Sequence, residues 1–313
     1  MSTDEIGRFA GYVANLGRGP GRSRALTREE ARDAMRILLA DAADPVQVGA
    51  FLMLLRYRGE DPEEITGLVQ AAAEATRITG AAADLDWPSY GAGRTRGAPW
   101  FLLSALALAQ SGVRVLMHGT NEFTGGTSVA QGLAQLGLTP ATSLDDARDR
   151  LARDRFAYVP AEVLSPELAR LLGLRRLLGL RSPLNTVARL LNPAEAAAAV
   201  DGVFHPPYIE THLAVAERLG QQRLLVLKGG GGEAERNPAK PCTVHLWSRD
   251  LGRQEMMLPA WGAAPAEVPS MLAVWRGEAE MPVVVATIEL GLMALGRGGD
   301  ARLVWEGRQG LLS

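Results

Sequence analysis

Two stretches of this chain combine residue types suited to holding an anion. In Tyr90-Gly91-Ala92-Gly93-Arg94-Thr95-Arg96, Gly91 and Gly93 let backbone N–H groups turn toward a phosphate, as in an anion-binding nest. Arg94 and Arg96 add fixed positive charge. In Lys228-Gly229-Gly230-Gly231-Gly232, a lysine leads a loop that lacks the Gly-Lys-Ser/Thr ending of a nucleoside triphosphatase; a flexible cleft wall is its plain alternative. Charge is also gathered in sequence. No acid occurs from Trp87 to Asn121, where Arg94, Arg96 and Arg114 lie, and Leu168 to Ala194 holds five arginines and no acid. A solvated helix face competes for that second run. His118, His205, His212 and His245 lack metal-ligand spacing, and among them only His118 stands at a candidate strand end, in His118-Gly119-Thr120-Asn121. Cys242 is alone, which excludes an internal disulfide and suits a reducing compartment.

These loops need elements to position them. Thr27 with Glu30 makes a capping box, and Ala31, Met35, Leu38 and Leu39 follow at helical spacing. Asp44-Pro45 opens a second helix that ends at Arg58-Gly59, and Asp61-Pro62-Glu63-Glu64 opens a third. Helices therefore continue to about Thr76. Beyond it the apolar runs Val113–Met117 and Leu224–Leu227 read as buried parallel strands, each preceded by a helix, Phe101–Gln110 and His212–Leu219. That alternation predicts an α/β domain with ligands at the carboxyl ends of its strands. Ala81–Ala83 and Ala196–Ala199 read as helix-forming tracts.

Composition narrows the class. The 313 residues are 47% hydrophobic and 22% charged, as in an ordinary globular protein, with no apolar run long enough to span a bilayer. No secretory signal opens the chain, so a cytoplasmic protein without a membrane partner is expected. A net charge of -2 offers no global case for nucleic acid, which leaves any such case to the local arginine clusters.

The segments Leu26-Thr27-Arg28-Glu29-Glu30-Ala31, Phe51-Leu52-Met53-Leu54-Leu55-Arg56 and Gly59-Glu60-Asp61-Pro62-Glu63-Glu64-Ile65 resemble the helical domain of anthranilate phosphoribosyltransferases, shared with pyrimidine nucleoside phosphorylases. His118-Gly119, Leu191-Asn192-Pro193 and Gly202-Val203-Phe204-His205-Pro206 extend the likeness in the same order. The resemblance implies an α/β class fold: a small all-helical N-terminal domain beside a larger α/β domain with a mostly parallel sheet. It divides the chain into a helical dimerisation domain, residues 1–76 with a contribution from about 161–189, and an α/β ligand-binding domain, residues 77–160 and 190–313. It also implies a homodimer.

Function must be argued at the site rather than from the fold. The family's glycine turn ends in Asp and holds the pyrophosphate of phosphoribosyl pyrophosphate; here Arg94 replaces that acid, and Trp100-Phe101-Leu102-Leu103 is apolar where the family is polar. The family's Asp-Glu pair for magnesium matches Ala234 and Glu235, leaving Glu235 as a weak metal candidate, with Glu233 near and Arg236 opposing a dication. Met117, Thr120 and Asn121 depart from the family's Lys-His-Gly-Asn-Arg run. Arg175 matches the arginine that binds the anthranilate carboxylate, and its planar guanidinium suits any carboxylate or phosphate.

These departures resemble the non-biosynthetic branch that keeps the fold and dimer and binds nucleic acid. The expected site is Gly91, Gly93, Arg94, Thr95, Arg96, His118, Arg175 and Lys228 on phosphates of a single strand, with Tyr90 and Trp100 available to stack on bases. No cofactor is expected in that reading. The alternative is a glycosyl- or phosphoribosyltransferase with an altered acceptor, and magnesium belongs to that reading alone.

Overall fold

The computed structural model describes residues 3–91, 97–120, 122, 125–263, 265 and 267–308. Four helices come first: α1 (Thr3–Gly17), α2 (Arg28–Leu39), α3 (Pro45–Arg58) and α4 (Pro62–Thr76). Their ends obey local signals. Thr27, Asp44 and Asp61 each cap a helix in a full capping box, so first-turn N–H groups that have no intrahelical partner are satisfied. Gly59, at φ 81°, stops α3 where a side chain would be strained.

Packing of α2 on α4 is close enough that a Cβ on Gly67 would lie 2.1 Å from the Arg28 carbonyl oxygen. Buried Glu64 ties α4 to the loop before α2. Its carboxylate accepts from the Leu26 N–H at 2.8 Å and the Asp61 N–H at 3.0 Å, which offsets the cost of burying it.

A seven-stranded sheet follows, built from β1 (Leu85–Ser89), β2 (Val115–Gly119), β3 (Phe156–Pro160), β4 (Ala198–Val203), β5 (Arg223–Lys228), β6 (Cys242–Ser248) and β7 (Gly252–Leu258). The order is β3-β2-β1-β4-β5-β6-β7. The first five strands run parallel and the last two antiparallel. Helix α5 (Trp100–Gln110) is apolar almost all round and buried along nearly its whole length, as a helix enclosed between sheet and further helices must be. The chain order reverses direction between β1 and β4, and the crevice at the carboxyl ends of these two strands is where such sheets bind ligands.

The two predicted strands are present, at Val115–Gly119 rather than Val113–Met117 and at Arg223–Lys228. The alanine tracts differ from expectation. Ala81–Ala83 lies in a loop, and Ala198 and Ala199 begin β4, between β1 and β5. Small residues fill the tight centre of a sheet, and that packing overrides helix propensity. No helix among the described residues is long and apolar enough to cross a membrane.

Candidate functional site

The crevice floor is closed by two of the protein's own acids. Glu233, buried, accepts through Oε1 from the Ser89 hydroxyl at 3.1 Å and from the Gly91 N–H at 2.8 Å. That approach needs glycine, because a Cβ on Gly91 would stand 2.1 Å from the same oxygen. Glu235 accepts through Oε2 from the Phe101 N–H at 3.1 Å, in the first turn of α5, where the helix macrodipole favours a negative charge. Both carboxylates thus take up backbone donors that could otherwise face a phosphate. Gly93, Arg94, Thr95 and Arg96 of the turn lie outside the described residues.

The family's metal positions fall on Ala234 and Glu235, with Glu233 beside them. Magnesium needs several oxygen ligands in octahedral order, yet Ala234 is a buried methyl between two glutamates that are each engaged with backbone N–H groups. Among the described residues no three His, Cys, Asp or Glu side chains gather as a metal-binding group. Arg236 does not oppose a cation there, contrary to the sequence reading. Its buried guanidinium turns away and pairs with Glu289 and, at 2.6 Å, with the Pro259 carbonyl.

Two buried polar groups stand behind the crevice. His118 is fully buried, with Nδ1 2.9 Å from the Tyr90 hydroxyl and Nε2 3.4 Å from Asp86. Burial pushes the Asp86 carboxyl above its ordinary range, and the His118 charge pulls it back only in part. His118 therefore has no face left for a phosphate. The reason is pleat: its side chain points into the core between Pro88 and Val159, its partners on β1 and β3. Tyr90 and Trp100, offered as stacking surfaces by the sequence, are also buried, at 2% and 7% exposure.

The second group is Asp201 with Arg189 and His212. Arg189 donates to Asp201 Oδ1 at 2.9 Å and to the Gly202 carbonyl at 2.8 Å, and His212 Nδ1 lies 2.6 Å from Asp201 Oδ2. Desolvation raises the Asp201 carboxyl, but His212 and then Arg189 outweigh it and hold it below its usual range.

Over Arg189 opens a cavity of about 350 Å³ whose wall includes Arg56, Arg175, Arg181, Arg189, His205 and Tyr208, and among the described residues no acid lines it. Arg56 donates to the Tyr208 hydroxyl and lies 3.7 Å from Glu60. Arg181 differs from its neighbours. No acid among the described residues pairs with it; its guanidinium stands 5.8 Å from the centre of the Phe204 ring. Burial, and then repulsion from Arg175, Arg189 and Arg56, lowers its pKa. Half-buried positive charge held beside like charge is a cost that a bound anion relieves.

A neighbouring cavity of about 790 Å³ is lined by Lys228, the Gly229–Gly231 loop, Glu235 and Lys240, and shares Phe204 and His205 with the first. Arg175 and Lys228 thus line adjoining hollows with a common wall. The five arginines of the acid-free run separate in space: Arg170 pairs with Asp41 and Arg176 with Glu122 on the surface, Arg189 pairs with Asp201, and Arg175 and Arg181 face the cavity. Sequence reasoning did not single out Arg56, Arg181, Phe204 or Tyr208. Phe204 lay within the quoted Gly202–Pro206 segment, but nothing local marked it as exposed.

Fold and crevice define a class: a helical bundle joined to an α/β domain, with the ligand region at the carboxyl ends of parallel strands. Residues 12–76 match the glycosyl transferase family helical bundle domain and residues 101–261 match the glycosyl transferase family a/b domain. The chain is 30% identical over 297 residues to the anthranilate phosphoribosyltransferase of Oleidesulfovibrio alaskensis, covering 83% of this chain and 90% of that protein. It is 33% identical over 300 residues to the same-named enzyme of Syntrophomonas wolfei, covering 91% and 87%. The crystal structure of anthranilate phosphoribosyltransferase (TrpD) from Thermus thermophilus superposes with a TM-score of 0.76 at 24% identity, covering 96% and 93% of the two chains. The Saccharomyces cerevisiae enzyme in complex with PRPP and Mg gives 0.70 at 16% identity, over 97% and 90%. The protein belongs to the glycosyl transferase family that contains the anthranilate phosphoribosyltransferases.

Proposed function

We propose that this family member binds nucleic-acid phosphates, with a degenerate phosphoribosyl pyrophosphate and metal site. One observation carries the reading: among the described residues no acid lines the cavity that presents Arg56, Arg175, Arg181 and Arg189, while Glu233 and Glu235 occupy the backbone donors of Gly91 and Phe101. Arg175, Arg181 and Lys228 take phosphates in this reading, joined by Arg94, Thr95 and Arg96 from the turn that begins at Gly91 and Gly93. Positively charged hollows set side by side suit a polyanion better than one small ligand. Magnesium has no role in it.

Residues 1–76 with 161–189 are proposed as the dimerisation domain of a homodimer and residues 77–160 and 190–313 as the ligand-binding domain. Exposed apolar side chains in this domain, Val46, Tyr57 and Leu177 at 80%, 91% and 85% exposure, are surface such a pairing would cover.

The second reading, transfer of a phosphoribosyl group to an altered acceptor, draws on the enzymes to which the chain is similar and on the ability of arginines to stabilise pyrophosphate charge without a metal. One experiment separates the two. Titration of the pure protein with a single-stranded oligonucleotide, repeated at several salt concentrations, should give tight binding that weakens log-linearly with salt and ignores EDTA. Parallel titration with phosphoribosyl pyrophosphate should give weak binding with or without magnesium. Tight, magnesium-dependent binding of phosphoribosyl pyrophosphate and none of the oligonucleotide would overturn the proposal.

A further inference from the structure

We infer that Phe204 is a stacking platform for an unpaired nucleobase, so that a strand held in the two basic hollows is recognised by its bases as well as its phosphates. The inference rests on the nucleic-acid reading and adds to it the residue that selects single strands over duplex. Phe204 is 44% exposed although it follows the buried strand-end residue Val203. A lone exposed phenylalanine is ordinary, so position and surroundings must decide.

Position comes first. Phe204 and His205 form the wall shared by the hollow of Arg175 and Arg181 and the hollow of Lys228 and Lys240, so a polyanion gripped in both must cross this ring. Surroundings follow. The Arg181 guanidinium stands over the ring at 5.8 Å, and the His205 ring meets it edge-on with centroids 4.7 Å apart. These contacts restrain the ring, and with the residue 44% exposed part of its surface stays open to solvent. The loop beside it does not shield it. Gly231 and Gly232 both have positive φ, and a Cβ on Gly232 would come within 3.4 Å of the Phe204 nitrogen and 3.5 Å of its Cβ, so a bare backbone lies alongside.

Chemistry favours a base as the occupant. An oriented aromatic face with cationic groups on both sides matches a nucleotide chain, whose bases have π-faces and whose phosphates are anionic. Paired bases inside a duplex keep their faces stacked on each other and offer none to Phe204. Tyr57 and Trp261, also exposed, line neither hollow, and Tyr90 and Trp100 are buried.

The test compares the full-length parent with Phe204→Ala and Phe204→Trp at one salt concentration on three probes of equal length: a single-stranded oligonucleotide, the same strand made abasic with the same phosphate count, and its duplex. Expected for the parent is preference for the intact single strand over the abasic one. Phe204→Ala should lose roughly tenfold on the intact strand, the scale of one stacked base, and little on the other two probes. Phe204→Trp should recover the loss, and its indole fluorescence should be quenched by the intact strand and not by the abasic one. Unfolding midpoints of all three proteins confirm folding. If the parent binds the intact strand and Phe204→Ala binds it as tightly, or loses equally on intact and abasic strands, the platform is refuted. If the parent binds none of the probes, the nucleic-acid reading itself has failed.

Discussion

Arg181 and Arg189 face the same cavity, yet their replacement by Met should move stability in different ways. Arg189 is almost fully buried and completes Asp201, which is inaccessible to solvent, and the Gly202 carbonyl. Arg189→Met leaves a buried carboxylate with His212 as its remaining partner. Removing one side of a buried ion pair costs about 3–5 kcal/mol, and at roughly 2 °C per kcal/mol for a chain of this size the midpoint should fall by about 6–10 °C. Arg181→Met removes a contact to Phe204 worth about 0.5–1 kcal/mol and at the same time relieves repulsion from Arg175, Arg189 and Arg56. These terms offset, so the midpoint should stay within about 2 °C. Binding should separate from stability. Arg181→Met should weaken binding of the single-stranded oligonucleotide about tenfold, the scale of one charge-assisted contact, and reduce the salt slope by about 0.7. Differential scanning fluorimetry with a salt-titrated binding assay reads both. Equal loss of stability in the two variants would refute the reasoning, because Arg181 would then be a structural ion and not a cation available to donate to a bound anion.

Three further outcomes are expected. Asp201 has a folded pKa held below its ordinary value, so its contribution is present above about pH 4 and is lost as pH falls through the folded value; Asp201→Asn should therefore cost most near pH 7 and less at pH 3.5 in urea unfolding, and a gap that does not change with pH would contradict this. Gly202→Ala drives a Cβ to 2.1 Å from the Glu233 backbone, whereas Gly230→Ala meets nothing within 4 Å; the first should cost about 1–3 kcal/mol or more and the second little, and equal midpoints would show that the Glu233 segment shifts easily. Catalysis of phosphoribosyl transfer from phosphoribosyl pyrophosphate to anthranilate should stay far below ordinary turnover, about 1–10³ per second, with added magnesium making no difference; turnover in that range would return the protein to the transferase reading.

Signals that act within a few residues were legible. Thr27 with Glu30, Asp44-Pro45 and Asp61-Pro62 specify helix starts because a capping side chain reaches only the next two or three N–H groups. Apolar runs marked β2 and β5, and a loop with Gly91 could be read as one that lets something approach the backbone closely. What approaches it in the structure is Glu233, 142 residues away along the chain. No local pattern encodes that pairing. The other strands escaped notice for related reasons: β1 carries a buried Asp86 and a Pro, and β4 begins in alanines, residues that form strands here because sheet neighbours and buried partners accept them.

The sequence by itself determined the helical start, the alternation of strand and helix, the family likeness and the supply of arginines without nearby acids. Only the tertiary structure decided which charges remain available. Arg170, Arg175, Arg176, Arg181 and Arg189 look alike in one acid-free run, yet their carboxylate neighbours come from elsewhere: Asp41, Glu122 and Asp201 reach three of them. Arg181 receives none among the described residues and rests against Phe204 instead. Charge is a property of a residue type, but its neutralisation is a matter of a few ångströms in space, and that distance is set by how distant segments pack.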